Sequence, residues 1–501
     1  MNRFLPCCLL LVALIFPPSI SAETTRERLI ILADMGNEPD EEQQMVHMLI
    51  CSNEFELAGL VAVTGKFLRP EAKDPYRQQL HPELFHQLID AYAKVVKKLR
   101  KHADGWHQPD DLRSIVVNGQ TGYGMKSVGE GLSSPGSELI IKAVEKADPR
   151  PLHIVVNAGS NTLAQALYDY QAAHTPEETD RFIAKLIVYE NGAQDDAGAF
   201  ICNRFPDIHW IRSNYQTYCW GGPSWEGQAD RNVGHDNYGP HTWNPYEYNA
   251  IGQHHWLIKH VISFHGPLGK IYPLRMFGNG RLVFWEGGGT VPWLALVSRG
   301  LGNLRYPHWG GWSGRFTREK VGNAWSKHED IKKLEQSSAP FSVYVEAHDT
   351  WTDPVSGETY RENPFAPVWR WRQAIQNNLQ CRMDWCVKSF KEANHHPVAV
   401  VDGDATNSIL LKEAEAGASL AFDASRSSDP DGDALNIRWW VYPEAGTYPG
   451  SISLEQTPEG SCMLRIPEDA GGREIHLILE VTDDSDIASL TDYRRIVISV
   501  R

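Results

Sequence analysis

Apolar runs without alternating polar positions recur along the first half of the chain, and each ends in a polar loop. These runs lie at 28–33, 55–63, 151–156 and 185–189. Uninterrupted apolar runs of this length are typical of strands buried on both faces of a parallel sheet. Segments with helical periodicity separate them, at 82–99 and 163–172. This alternation predicts an α/β domain with a mostly parallel sheet, whose strands end at one common edge.

Beyond residue 394 the pattern changes to short alternating segments separated by turn signals. They lie at 398–401, 419–422, 436–441, 463–466, 475–481 and 494–500. This pattern predicts a β-sandwich of the Ig or PKD type. Trp369, Trp371 and Trp385 precede the boundary. We therefore expect an α/β domain over 23–315, a Trp-rich extension packed on it over 316–393, and a β-sandwich domain over 394–501.

Four carboxylates gather where the first apolar run gives way to a helix. They are Asp34, Glu38, Asp40 and Glu41. Acids at this point can cap a helix and complement its dipole, but one or two are enough for that. Ligands of open α/β sheets bind outside the carboxyl ends of the strands. The excess of acids therefore favours a metal or polar-substrate site over simple capping.

Composition and charge narrow the classes of partner. The net charge of −15 argues against a nucleic-acid partner, because no basic field would attract phosphates. The 17 Trp residues suit stacking on sugar rings as well as a core. Residues 1–22 have a basic start, an apolar stretch and a small-residue end, which is the pattern of a signal peptide. No later apolar run is long enough to span a bilayer, so we expect a secreted or periplasmic protein.

Six cysteines follow the predicted leader. In an exported protein Cys381 and Cys386 would be able to pair locally, as would Cys202 and Cys219. The alternative is that some of them are buried free thiols, which are common in protein cores. No CxxC pair is present, which argues against a zinc site built on cysteine.

The acidic loop resembles the D-x-D-x-x-x-D-D loop of the nucleoside hydrolase superfamily. Asp34, Asp40 and Glu41 fall on the first, third and fourth acids of that pattern, and Gly36 stands at the second. The loop at 157–164 is similar to a calcium-binding loop of the superfamily. The segments 34–40, 161–167, 265–269, 310–312 and 429–433 resemble a secreted branch of nucleoside-hydrolase-like proteins known as cellulose-binding, which carry a similar C-terminal sandwich.

The resemblance implies a site for calcium, an attacking water and a sugar. Its metal ligands would be Asp34, Asp40, Glu41 and a carbonyl near Ser160 or Asn161, and the base would be Asp40 or Glu38. The implied substrate-binding residues are Asn37, Thr64, Asn161, Asn191, Asn203 and Glu286. Candidates for the leaving-group acid are His235, His241 and Glu286. A late calcium-binding aspartate of the branch is replaced here by Gly288, which with Gly36 weakens the expected metal site.

These features lead to two hypotheses of function. The first is a secreted, ribohydrolase-like enzyme that cleaves an N- or O-glycosyl bond of a carbohydrate or nucleoside-like small molecule with an activated water. The second is a non-catalytic carbohydrate-binding protein on the same fold, and Gly288 favours it. An inert scaffold is the third alternative. An oligomer is compatible with each of them.

Overall fold

The computed structural model describes residues 26–501 apart from 38, 220–255, 274–288, 299, 319–323, 355–356 and 358, and gives no side chains for 218 and 219. Several predictions fall outside the described residues. They concern the leader at 1–22 and the residues Glu38, His235, His241, Glu286 and Gly288. Within the described residues, no helix is long and apolar enough to cross a membrane.

The main sheet contains eight strands in the described residues, in the order β3-β2-β1-β4-β5-β6-β8-β7. The strands are β1 (Glu27–Ala33), β2 (Phe55–Ala62), β3 (Val116–Asn118), β4 (Leu152–Val156), β5 (Leu186–Asn191), β6 (His209–Ser213), β7 (Phe316–Arg318) and β8 (Tyr344–Glu346). All neighbours pair in parallel except β7 and β8. The predicted mostly parallel α/β sheet is confirmed, and it continues beyond residue 315 through β7 and β8.

Helices cover both faces of this sheet. They are α1 (Asp40–Ile50), α2 (Pro82–Leu99), α3 (Pro109–Ser114), α4 (Pro135–Glu145), α5 (Ser160–Ala173), α6 (Pro176–Ala184), α7 (Ala197–Arg204), α8 (Gln216–Cys219), α9 (Gly266–Ile271) and α10 (Glu329–Glu335). Leu29 and Ile31 of β1 enter one core, shared with α1 and α2, whereas Ile30 and Leu32 enter the other. Because both faces of β1 are buried, its sequence is apolar at every position rather than at alternate ones.

The Trp-rich segment packs on the α/β domain. It consists of the hairpin β9 (Asp349–Thr352) and β10 (Thr359–Asn363) and the helices α11 (Ala366–Trp369) and α12 (Arg372–Trp385). Trp369, Trp371 and Trp385 are buried in the same apolar cluster as Leu49 of α1. Cys202, Cys381 and Cys386 are buried free thiols, so the predicted pairings Cys381–Cys386 and Cys202–Cys219 are wrong. The alternative of buried core thiols applies to them.

The C-terminal part forms two small sheets around its own core, as predicted for a β-sandwich. Its strands are β11 (Leu410–Ala414), β12 (Ser419–Asp423), β13 (Leu435–Val441), β14 (Ser453–Gln456), β15 (Ser461–Arg465), β16 (Glu474–Asp483) and β17 (Thr491–Val500). The predicted strand at 398–401 makes only isolated bridges, from Val398 to Ser428 and from Val401 to Asp404.

Buried polar contacts join the sandwich to the α/β domain. Arg495 of β17 donates to the carbonyl oxygens of Leu301 at 2.6 Å and Gly310 at 3.0 Å. The hydroxyl of Tyr442 donates to Asp349 Oδ2 at 2.6 Å. Because these groups are buried and satisfied by partners on the other domain, they fix the two domains against each other.

Candidate acid-rich site at the carboxyl edge of the sheet

The turn after β1 is fixed by backbone geometry at Gly36. Asn37 closes the turn, because its backbone N–H donates to Asp34 O and its Nδ2 to Asp34 Oδ2, both at 3.0 Å. Gly36 has a φ of +86°, and a Cβ there would lie 2.9 Å from the Tyr76 hydroxyl and 3.0 Å from His81. An acid at this position would be strained and crowded, which explains why the second acid of the expected pattern is missing.

Three of the predicted acids, Asp34, Asp40 and Glu41, meet in a cluster where β1 ends and α1 begins. Asp34 is 0 % exposed and Glu41 is 3 % exposed. Burial raises the pKa of Glu41 well above its ordinary value, and the negative charges of Asp40 and Asp34 raise it further. Burial also raises the pKa of Glu42 to about 7. No side chain caps the first turn of α1 in the described residues, so the cluster does not serve as an N-cap.

The acidic cluster meets some of the requirements of a calcium site. Its carboxylate oxygens are the hard ligands that calcium prefers. Among the described residues, however, no group of three or more His, Cys, Asp or Glu side chains is placed so that it would hold a metal ion. The fourth predicted ligand, a backbone carbonyl near Ser160 or Asn161, lies in the first turn of α5, and the Asn161 side chain donates to Gly122 O at 2.9 Å. The described residues as placed therefore do not by themselves complete a calcium site.

The loop after β4 is held by a carboxylate that sequence reasoning missed. Asp195 accepts hydrogen bonds from the Ser160 hydroxyl, from the Asn161 N–H at 3.2 Å and from the Ala197 N–H at 3.0 Å. Burial raises the pKa of Asp195 to about 7. The signal in the sequence was a pair of adjacent acids, Asp195 and Asp196, directly after an apolar strand. Asp195 thus fixes Asn161 at the edge next to the acidic loop.

A chain of amides connects the loops along the edge. Asn157 Nδ2 donates to Gln44 Oε1 of α1 at 2.5 Å. Gln194 Nε2 donates to Asn157 O at 3.2 Å, and its Oε1 accepts from Lys66 N at 3.1 Å. A Cβ on Gly65 would lie 2.4 Å from Asp34 Oδ2 and 2.7 Å from Gln194 Oε1. The loops after β1, β2, β4 and β5 therefore converge on one place.

Several buried oxygens at this place have no hydrogen-bond partner within the described part of the chain. They are Asn37 Oδ1, Glu41 Oε2, Asn157 Oδ1 and Asn161 Oδ1. All four residues are at least nine-tenths buried. Buried polar atoms are normally satisfied, so a set of open acceptors at the ligand-binding edge of a sheet indicates a ligand that donates hydrogen bonds.

Of the other predicted substrate-binding residues, Thr64 and Asn191 lie where strands end, whereas Asn203 lies in a helix. Thr64 follows β2, and its hydroxyl donates to Gly122 O at 3.0 Å. Asn191, at the end of β5, accepts from the Thr217 hydroxyl at 2.7 Å. Asn203 lies in the last turn of α7 and donates to Pro340 O at 2.8 Å. Because α7 leads away from the edge, the structure does not bring Asn203 to the acidic cluster.

Comparison with known proteins agrees with this geometry. Residues 28–316 match the family described as cellulose-binding Sde182, nucleoside hydrolase-like domain. Residues 419–500 match the C-terminal domain of the cellulose-binding protein Sde0182. A solved structure from Saccharophagus degradans, described as a nucleoside hydrolase-related hypothetical protein associated with carbohydrate metabolism, is 34% identical. The alignment covers 95% of this chain and 100% of that one, with a TM-score of 0.78.

Other comparisons add little. An endo-fucoidan hydrolase of glycoside hydrolase family 107 is 13% identical, covers 96% of this chain and 81% of its own, and has a TM-score of 0.18. An endo-beta-1,4-mannanase from Thermotoga petrophila is 11% identical over 96% of this chain and 99% of its own, also with a TM-score of 0.18. Neither resemblance supports an argument. No curated protein matches the chain. On the family match and the 34% identical structure, the chain belongs to the cellulose-binding Sde182 family of nucleoside hydrolase-like proteins.

Proposed function

We propose that the protein binds a carbohydrate at the carboxyl edge of its parallel sheet. The observation that carries the proposal is the set of buried, open acceptor oxygens on Asn37, Glu41, Asn157 and Asn161. Sugar hydroxyls donate hydrogen bonds and would satisfy these oxygens, whose burial makes leaving them unsatisfied costly. The names of the matched family and of the related structure refer to cellulose and to carbohydrate metabolism. Export to the periplasm or the medium is part of the same proposal.

Binding of cello-oligosaccharides by calorimetry tests this proposal. Asn161→Ala removes an open acceptor and should weaken binding by about tenfold, the effect of losing a buried hydrogen bond. The matched control is Asn203→Ala, because Asn203 lies away from the edge. We expect Asn203→Ala to bind like the unaltered protein. Equal effects of the two substitutions, or no binding by the unaltered protein, would refute binding at this edge.

Hydrolysis of an N- or O-glycosyl bond is the second candidate function. The observation that favours it is the hydrogen bond between the carboxyl groups of buried Glu41 and half-buried Asp40, since two carboxyls in contact can hold and release a proton. In this proposal water adds to the anomeric carbon and its proton passes to Asp40, while the glycosyl bond breaks and its electron pair leaves on the departing nitrogen or oxygen, which takes up a proton. Glu38 is the alternative base, and it lies outside the described residues together with the candidate acids His235, His241 and Glu286.

A panel of nucleosides and aryl glycosides separates the two functions. Turnover that falls by at least about a hundredfold in Asp40→Asn is expected of the hydrolase, since general-base catalysis contributes on this scale. If the protein binds sugars but turns over none of these compounds, the hydrolase hypothesis is refuted and the carbohydrate-binding function remains.

Calcium binding by the acidic loop is a separate proposal, and no step above depends on it. Titration of calcium into the metal-free protein tests it directly. Heat of binding that disappears in Asp34→Asn is the expected result, because Asp34 is the carboxylate at the centre of the cluster. Heat that is unchanged in Asp34→Asn would place any calcium elsewhere.

A further inference from the structure

A cavity of about 280 Å³ lies beside the acidic cluster at the same edge of the sheet. Its walls come from the loop after β2, the loop after β3 and the segment before α2. The lining residues are Thr64, Leu68, Arg69, Gln78, Gln79, Leu80, Asn118 and Thr121. Ligand pockets for drug-sized molecules span roughly 300–1,000 Å³, so this cavity suits a single monosaccharide unit.

The lining combines neutral hydrogen-bonding groups with one charge. Hydroxyls and amides predominate, Leu68 and Leu80 supply apolar surface, and Arg69 is the one charged residue among the lining side chains described. The side chains of Gln79 and Thr121 are exposed and make no hydrogen bond to the described residues. This mixture of polar groups and apolar surface is suited to the hydroxyls and the ring face of a sugar.

Arg69 is held in place and makes no salt bridge within the described part of the chain. Its guanidinium lies 4.4 Å from the centroid of the Tyr123 ring, and the Tyr123 hydroxyl is anchored to Gln194 O at 2.6 Å. The neighbouring acid, Glu71, bonds Lys126 Nζ at 2.8 Å instead. The bond to Lys126 and, to a smaller extent, the charge of Arg69 lower the pKa of Glu71, but the Glu71 carboxylate makes no salt bridge to Arg69. A guanidinium that is oriented by an aromatic ring and keeps its donors free of a salt bridge is prepared to bind a ligand carboxylate.

We propose that this cavity binds a uronate, a sugar unit that carries a carboxylate, through Arg69. The inference rests on the proposed carbohydrate-binding function. Thr64 lines the cavity and follows the same strand as Gly65, which contacts Asp34, so the cavity adjoins the acidic cluster. Asp40 and Asp34, which act on Glu41 as negative charges, repel an anionic unit, whereas Arg69 attracts it. The two subsites therefore orient a chain with its neutral unit at the acids and its charged unit at Arg69.

Calorimetry with two matched disaccharides tests the inference on the full-length protein. Cellobiose and cellobiouronic acid differ in one group, which is a hydroxymethyl in the first and a carboxylate in the second. We expect cellobiouronic acid to bind about tenfold more tightly, the usual scale of a charge-assisted hydrogen bond. Arg69→Gln should abolish this preference while cellobiose binding stays unchanged. Arg69→Lys should keep part of it, because the charge remains but the bidentate geometry is lost.

The control variant is Arg465→Gln, at an exposed arginine of β15 that is far from the cavity in the fold. It should retain the full preference, and thermal melting checks that every variant is folded. Equal affinity of the unaltered protein for the two disaccharides would overturn the inference and leave carbohydrate binding intact. A preference that persists in Arg69→Gln would also overturn it. Failure to bind either disaccharide would overturn both proposals.

Discussion

Two buried groups of charged side chains lie near the carboxyl edge of the main sheet, and they differ in how their charges are balanced. In the first, Arg212 of β6 bonds Glu190 at 2.6 Å and Glu335 at 2.7 Å. In the second, Glu41 interacts electrostatically with Asp40, Asp34 and Glu42, all of which are acidic. The side chains of Arg212, Glu190 and Glu335 are at most 1 % exposed, and Asp34 and Glu41 are also buried, whereas Asp40 and Glu42 are half-buried.

The difference separates a structural role from a functional one. A buried charge is costly to leave unpaired, and in the Arg212 group opposite charges and hydrogen bonds offset that cost. At Glu41 the neighbouring charges add to the cost of burial instead of offsetting it. Buried acids whose negative charges are not offset by cations are concentrated at functional sites, where a bound ligand or a proton offsets them. The comparison therefore supports a structural role for Arg212 and the binding role proposed for Glu41.

The largest effect on stability is expected from removing the cation of the Arg212 group, in which opposite charges offset one another. Arg212→Met keeps most of the side-chain volume but leaves Glu190 and Glu335 buried without their cation. We expect a loss of about 3–5 kcal/mol in the free energy of unfolding, measured by urea denaturation. Arg465→Met, at an exposed position of β15, serves as control and should change stability by less than about 0.5 kcal/mol. A loss below about 1 kcal/mol in Arg212→Met would show that the group is not structural.

The second-largest effect on stability is expected at another group of hydrogen-bonded, ionisable side chains, formed by His476, Arg495 and Glu474 at the interface of the two domains. His476 is buried and neutral, because its Nδ1 accepts a hydrogen bond from Arg495 at 2.8 Å and its Nε2 donates to Glu474 Oε1 at 2.8 Å. Burial lowers its pKa to about 4. The unfolded chain therefore takes up a proton at higher pH than the folded one, and stability that is present above about pH 6.5 is lost as the pH falls through 4.

The measurement is the unfolding free energy between pH 7 and pH 4. We expect His476 to contribute a loss of about 2 kcal/mol over this window, and His476→Gln should lack that contribution because glutamine does not titrate. His348→Gln, at an exposed histidine, should show the same pH dependence as the unaltered protein. If His476→Gln and the unaltered protein had the same pH profile, protonation of His476 would not contribute to the loss of stability at low pH.

The strands of the main sheet were accessible to sequence reasoning because burial on both faces makes their signal strong. The apolar run of β1 is the clearest case. The strands of the sandwich were harder to predict from the sequence. Strands β11 and β14, with the sequences Leu-Leu-Lys-Glu-Ala and Ser-Leu-Glu-Gln, were missed because most of their residues are exposed. The apolar segment 398–401 was predicted as a strand, but it packs against the core of the sandwich and makes only isolated bridges.

The acidic loop was found because its carboxylates are neighbours in the sequence. Asn157, Gln44 and Asp195 were not predicted, since their roles come from contacts between residues far apart in the chain. Asn203 was assigned through the resemblance alone, and its place in α7 depends on the direction of that helix. Local sequence therefore identified the charge of the site, whereas the partners of that charge required the fold.

The smallest effect on stability is expected at Glu41, and its sign distinguishes the two groups. Glu41→Gln keeps the shape of the side chain and removes a charge from acidic surroundings, so we expect a gain of about 1 kcal/mol in unfolding free energy at pH 8. Cello-oligosaccharide binding should weaken about tenfold, because a charged acceptor is lost. Glu138→Gln, at an exposed position of α4, should alter neither quantity. If Glu41→Gln gained stability but bound the sugar unchanged, Glu41 would not be a binding residue. If Glu41→Gln lost stability, Glu41 would have a structural role like that of Arg212.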